Sequence, residues 1–478
     1  MSRTTAVLAT TTVLVVLFPT TAAAQEPTPG APGIGDPYFP LDGNGGYDVE
    51  HYGLDLRYDP ATDVLDGVAT IEATATQDLS RFNLDFEGLT VRSVTIGGDT
   101  AQWSRNGGEL IVTPAAPLAN AEPFTVAVTY DGVPQTITDE LGMSGFFHTS
   151  DGALVIGEPD VAATWFPAND HPLDAASVDV EITVPEGLEG ISNGRLEDTR
   201  TEEGWTTWQW RADEPMATYL VTLAVGEFDV RAYDAGGRPF WDALDPTLAT
   251  LDPDPAAPGP SVGEVASGSL ARQPEIIDFL SGIFGPYPVS TAGGIVDNVP
   301  ELLFALENQT RPVYAPAFFT DPVLGDRVIV HELAHQWYGD SVRLAAWQHI
   351  WLNEGFATYA EWLWLEREGL ATVQQQFDDV YANAPADFWT VRIGDPGPNT
   401  IQLFHPAVYL RGAMTLHTLR LVVGEEAFFA VLEEWAASRA GEPVTTEEFT
   451  ALAEKESGRE LDDLFETWLF TPERPALG

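Results

Sequence analysis

The chain has 478 residues, 44% of them hydrophobic, a size and composition suited to two or three globular domains. Its 73 acidic and 22 basic residues give a formal net charge of −51, which repels nucleic-acid phosphate and anionic membrane and argues against both as partners. There is no cysteine, which excludes disulfides, thiolate metal ligands and a cysteine nucleophile.

Residues 1–24 have the layout of a cleaved secretory signal. Arg3 gives a positive start, Ala6 to Phe18 is an apolar run too short to cross a bilayer comfortably, and Ala22-Ala23-Ala24 is a small-residue cleavage pattern ahead of Gln25. The expectation is an exported protein, secreted or otherwise extracytoplasmic, with no membrane span. Residues 25–46 are rich in Pro and Gly and are expected as a flexible leader.

From Tyr47 to Val230 the texture is β. Short alternating runs such as "VATIEATAT", "FTVAVTY" and "VDVEITVP" recur between turn residues, which predicts an antiparallel β-sheet domain over residues 47–230. After Phe228 the pattern changes. A Pro-rich loop covers Asp245 to Pro260, and helical periodicity dominates beyond it, in "ARQPEIIDFLSGIFG", "MTLHTLRLVV" and "EAFFAVLEEWAAS". Residues 231–478 are therefore expected as a mainly α domain, and the fold class as α+β.

The second domain carries His331-Glu332-Leu333-Ala334-His335. Histidines four apart lie on one face of a helix, so both imidazoles can address one point. Glu332 projects beside them, within reach of a metal-bound water but not as a ligand. H-E-x-x-H is a zinc peptidase signature, and a catalytic zinc needs a third protein ligand with the fourth position left to water. Six residues after His335, where one class has a third histidine, this chain has Ser341. Glu354 follows instead, after a gap of eighteen residues, on a second helical segment, "WLNEGFATYAEWL". The predicted centre is one zinc per chain on His331, His335 and Glu354, with Glu332 as general base. Glu361 lies two turns after Glu354 on the same face, and fits either an orienter of a bound imidazole or a solvent-facing acid. His51, His148, His171, His349, His405 and His417 lack ligand spacing and are expected in packing or at the surface.

H-E-x-x-H, eighteen residues, and a glutamate within Asn353-Glu354-Gly355 resemble the gluzincin aminopeptidases of the alanyl aminopeptidase and leukotriene hydrolase type. The resemblance runs from about residue 47 to residue 470 and implies a thermolysin-like catalytic domain after the β domain. It also implies a short form without the C-terminal helical domain that many members add. The family's G-A-M-E-N strand is matched by Phe304-Ala305-Leu306-Glu307-Asn308, which maps an amine-binding glutamate to Glu307 and puts Phe304 in place of the leading glycine. "GEPDVAATWFPANDHP" resembles the segment that brings a second amine-contacting residue, here Glu158. "VYLRGAMTLHTLR" maps the transition-state tyrosine to Tyr409, with Arg411 replacing the usual lysine. The implied function is a zinc aminopeptidase acting on peptide substrates. A zinc endopeptidase or another hydrolase on the same site is the alternative.

Overall fold

The computed structural model describes residues 26–138, 140, 142–253 and 259–477. The signal reading of residues 1–24 lies outside them.

The N-terminal part is built on an eight-stranded sheet. Its order is Arg195–Glu202, Trp205–Ala217, Ala175–Pro185, Tyr47–Asp59, Val64–Ala75, Pro123–Gly132, Thr90–Ile96 and Asp99–Thr100. All neighbours are antiparallel except Ala175–Pro185 against Tyr47–Asp59, a parallel pair that alternation alone does not reveal. In Tyr47–Asp59 the buried positions are Tyr47 and Val49, then Tyr52, Leu54, Leu56 and Tyr58. The parity changes because a bulge shifts the register between Val49 and His51, and one extra residue turns every later side chain to the other face. A second, fully antiparallel sheet runs Thr136–Thr138, Met143–His148, Ala153–Ile156, Leu223–Gly226, Glu189–Ser192. Glu158 lies just past the end of the third of these strands and lines a cavity together with residues of the second domain.

The second domain is not purely helical. It opens with a five-stranded mixed sheet, Asp229–Ala235, Arg238–Leu244, Ala292–Val296, Val313–Tyr314 and Ala305–Leu306. The edge strand Ala305–Leu306 is antiparallel to Val313–Tyr314 and delivers Glu307 at its end. Arg311 ties this sheet to the first domain: its buried guanidinium donates to the carbonyls of Trp241, Ala292 and Gly194 at 2.7, 3.0 and 2.7 Å.

The helix Pro322–His335 starts sharply because Asp321 accepts from the backbone N–H groups of Val323 and Leu324, with proline at the first helical position. It packs on Trp351–Arg367, a helix buried nearly all round, which in turn packs on Pro406–Val423. The last crossing is very close. A Cβ on Gly355 would lie 2.9 Å from the Gly412 Cα, and one on Gly412 would lie 2.7 Å from the Gly355 Cα. The glycine after Glu354 is thus a packing residue, and the crossing it permits sets Glu354 and Tyr409 on facing helices.

Residues 26–46 differ from the flexible leader that composition suggests. Asp36 is 4% exposed and accepts from Trp347 N at 2.8 Å and His171 Nε2 at 3.0 Å, one residue from each domain. Leu173 N donates to His171 Nδ1, so the imidazole is the neutral tautomer that donates through Nε2. Asp36 is held below the usual carboxylate range: burial pushes it up, but His171 and three backbone N–H groups outweigh that. Polar anchors rather than apolar periodicity order this segment, which is why composition misses it.

Candidate metal centre

His331, Glu332, His335, Glu354, Glu307, Glu158 and Tyr409, all seven residues singled out from the sequence, line one cavity of about 530 Å³ between the two domains. Val328 and Leu324 continue its wall along the motif helix, Phe318 adds to it from the short turn Pro316–Thr320 before that helix, and Met143, Phe304 and Phe404 add apolar surface.

The metal-ligating atoms of His331, His335 and Glu354 all lie within 4.8 Å of one another. Glu354 Oε2 is 3.2 Å from His331 Nε2 and 3.5 Å from His335 Nε2. The opposite ring nitrogens are already committed. His331 Nδ1 lies 2.8 Å from Glu361 Oε1, and His335 Nδ1 donates to the Tyr338 carbonyl at 3.0 Å. Burial pulls both imidazoles down, but the carboxylates around them outweigh it, raising His331 and bringing His335 to about 9. Held through Nδ1, each ring would give up its Nε2 proton to a bound metal and turn that lone pair outward. Two such lone pairs and a carboxylate oxygen, nearly dry and aimed at one point, make a donor set that fits a zinc ion. Glu361 therefore faces the imidazole and not solvent. Its second oxygen accepts from Arg327 Nη2 at 2.7 Å and Nε at 3.0 Å. The sequence alone leaves Glu361 open between these roles, and the signal it offers for Arg327 is a position four residues before His331 on the same helix face.

Glu332 is 4% exposed. Burial pushes its carboxyl up and Glu307 and Glu354 add to that, while His331 and His335 pull it down, for a net value of about 8. A buried carboxyl beside the two imidazoles is placed to take and return a proton. Tyr409 lies against His331 with rings nearly parallel and centroids 6.0 Å apart. Burial and four nearby carboxylates, Glu354 foremost, hold its phenol well above its ordinary value, so it stays a donor.

Glu307 is 2% exposed and its Oε1 accepts from the Tyr219 hydroxyl at 3.0 Å. Gln336, next to the second histidine, donates to the Glu307 carbonyl at 2.8 Å and fixes the strand end. Glu158 stands near it with a buried Oε1 that has no hydrogen-bond partner among the described residues. Burial, then Glu307, drives its carboxyl well above the ordinary value. Tyr219 had no sequence signal, since it enters from a short turn, Thr218–Leu220, at the end of a β strand. Arg411, in place of the family's lysine, is fully buried away from this cavity and donates to the carbonyls of Trp389, Val391, Thr467 and Thr471. It holds the C-terminal segment and makes no contact with the metal triad.

A helical H-E-x-x-H, a glutamate from the next helix and a β domain covering one side define a two-domain zinc peptidase. The comparisons with known proteins agree. The Peptidase M1 N-terminal domain model matches residues 48–220, and the Peptidase family M1 domain model matches residues 323–468. The crystal structure of the M1 zinc metallopeptidase from Deinococcus radiodurans is 30% identical, with a TM-score of 0.82, covering 93% of this chain and 98% of that one. Aminopeptidase M1-D of Oryza sativa subsp. japonica is 25% identical over 476 residues, 89% of this chain and 50% of that protein. Probable aminopeptidase 2 of Sulfurisphaera tokodaii is 24% identical, over 81% of this chain and 49% of that protein. The chain spans about half the length of these curated relatives. It belongs to the M1 family of zinc metallopeptidases. One zinc per chain follows, with His331, His335 and Glu354 the residues that would hold it.

Proposed function

We propose that the protein is a zinc-dependent aminopeptidase that removes N-terminal residues from peptides. The observation that carries this reading is the pair Glu158 and Glu307 beside the metal triad. One has a buried oxygen without a partner, and the other is held by a single phenol. Buried carboxylates in that state call for a cation, and a peptide's free N-terminal ammonium supplies one. Aminopeptidase relatives over most of the chain support the same reading.

When bound, zinc supplies Lewis acidity and a water acidic enough to attack near neutral pH. Glu332 accepts the attacking water's proton and passes it to the departing amine nitrogen. Tyr409 donates a hydrogen bond to the carbonyl oxygen as negative charge grows on it, a contact worth about 2.7–4 kcal/mol at comparable oxyanion donors. Glu158 and Glu307 hold the ammonium, so that the first peptide bond and no later one meets Glu332. An endopeptidase on the same centre has no need of that anionic pair.

Aminoacyl fluorogenic substrates, with and without chelator, test this. Turnover is expected from the zinc-loaded enzyme and not from the chelated one. Glu307→Gln is expected to raise KM strongly while zinc content stays at one per chain. Unaltered KM in Glu307→Gln would remove the amine-binding argument.

Export belongs to this proposal as well, supported by the Arg3, Ala6-to-Phe18 and Ala22-Ala23-Ala24 pattern. Among the described residues no helix is long and apolar enough to cross a membrane. N-terminal sequencing of the mature protein checks it, with Gln25 the expected first residue.

A further inference from the structure

The cavity wall carries five carboxylates, those of Glu158, Glu307, Glu332, Glu354 and Glu361, and one guanidinium, that of Arg327. Arg327 lies one helical turn before His331, and Glu361 bridges the two, with Oε1 on the imidazole and Oε2 on the guanidinium. That bridge occupies Nε and Nη2 only. Nη1 makes no hydrogen bond among the described residues, and the Arg327 side chain is 35% exposed. A guanidinium that is fixed along one edge and open on the other is a ready receptor for a carboxylate.

The other charged end of a peptide is its C-terminal carboxylate. In a chain with a net charge of −51, a peptide carboxylate meets repulsion over most of the surface, and Arg327 is the cation on this cavity's wall. The Glu361 bridge keeps the guanidinium within about 8 Å of the His331 ring, and each residue past the cleaved bond spans ~3.3–3.6 Å, so two or three residues reach it. We propose that Arg327 receives the C-terminal carboxylate of tripeptides and tetrapeptides, which makes the enzyme selective for short free-acid peptides. This rests on the aminopeptidase reading above. The bound peptide lies between an anionic pocket for its first residue and a cationic anchor for its last.

The test compares tripeptides with a free C-terminus and their C-terminal amides on zinc-loaded enzyme. The amide is expected to show a KM about tenfold higher, the loss of one partly exposed charge-assisted hydrogen bond. In Arg327→Gln the acid and the amide are expected to converge. A purely structural role for Arg327 would lower both alike and preserve their ratio, which overturns the proposal. Equal KM values in the wild type overturn it too, while leaving the aminopeptidase reading intact. Cleavage of neither peptide by the wild type would remove both. Should Arg327→Gln fail to hold zinc, a length series on the wild type decides. The acid-to-amide ratio is expected to peak at three or four residues, and a ratio independent of length refutes the anchor.

Discussion

Replacing Glu361 by glutamine probes the support of the metal centre without touching a ligand. Burial raises the Glu361 carboxyl, but His331 and Arg327 outweigh it and hold the group below the usual carboxylate range, so it is an anion. Glutamine keeps the shape and offers one acceptor where there were two. If its oxygen faces His331 Nδ1, its NH₂ meets the Arg327 guanidinium; if flipped, the NH₂ meets the imidazole N–H. One donor then opposes another in a side chain that is 13% exposed. Each charge-assisted bond is worth about 1.5–3 kcal/mol. Arg327 is 35% exposed and regains water, so its share is mostly recovered. What remains falls on the orientation and basicity of His331, and changes of this kind weaken metal binding roughly 10–100-fold. That corresponds to about 1.4–2.7 kcal/mol. Chelator competition measures the zinc Kd, with circular dichroism as the folding control. A Kd within about twofold of the wild type, against that 10–100-fold expectation, would refute the idea that Glu361 sets the imidazole.

Gly412→Ala places a methyl 2.7 Å from the Gly355 Cα, a backbone atom that cannot step aside, and is expected to destabilise the fold by about 1–3 kcal/mol. An unchanged melting temperature contradicts that packing argument. Tyr409→Phe is expected to lower kcat roughly 10²–10³-fold with little change in KM, as for a contact made mainly in the transition state. An effect confined to KM would make the phenol a substrate-positioning group. Burial pushes Asp170 and Asp174 up to about 7 and Asp297 up to about 8. Between the unfolded value of ~3.9 and these folded values the native chain holds the extra protons, so stability falls as pH rises through that window. Asp36, shifted downward, is ionised in both states there and does not oppose the trend. The urea midpoint is expected to drop between about pH 5 and about pH 8, and a flat or rising midpoint would refute it.

The metal triad was legible because its information is local. Four-residue spacing puts His331 and His335 on one helix face, and the next apolar helical run carries Glu354. Glu307, Glu158 and Tyr409 were reachable only through motif resemblance, since nothing in their own surroundings distinguishes them among 73 acidic and 13 tyrosine residues. Contacts between residues far apart in the chain left no periodic trace. Tyr219 reaches Glu307 across 88 positions, and Asp36 reaches Trp347 across 311. The bulge after Val49, the parallel pair in the large sheet and the mixed sheet of the second domain were invisible for a related reason. Alternation reports which face is buried but not which strand lies alongside. Arg411 shows the converse, a position within a recognisable motif whose side chain serves the fold.

The central claim is that cleavage is tied to a free amine beside Glu158 and Glu307. Acetylating that amine removes the cation and leaves Glu158 with a buried unpartnered oxygen and Glu307 with the Tyr219 phenol alone, a loss of several kcal/mol where they are desolvated. The most direct measurement is mass spectrometry of zinc-loaded enzyme acting on a peptide of about ten residues and on its N-acetylated twin. The account predicts stepwise trimming of the first and an intact second. Internal cuts in the acetylated peptide at a comparable rate would contradict it and make the enzyme an endopeptidase.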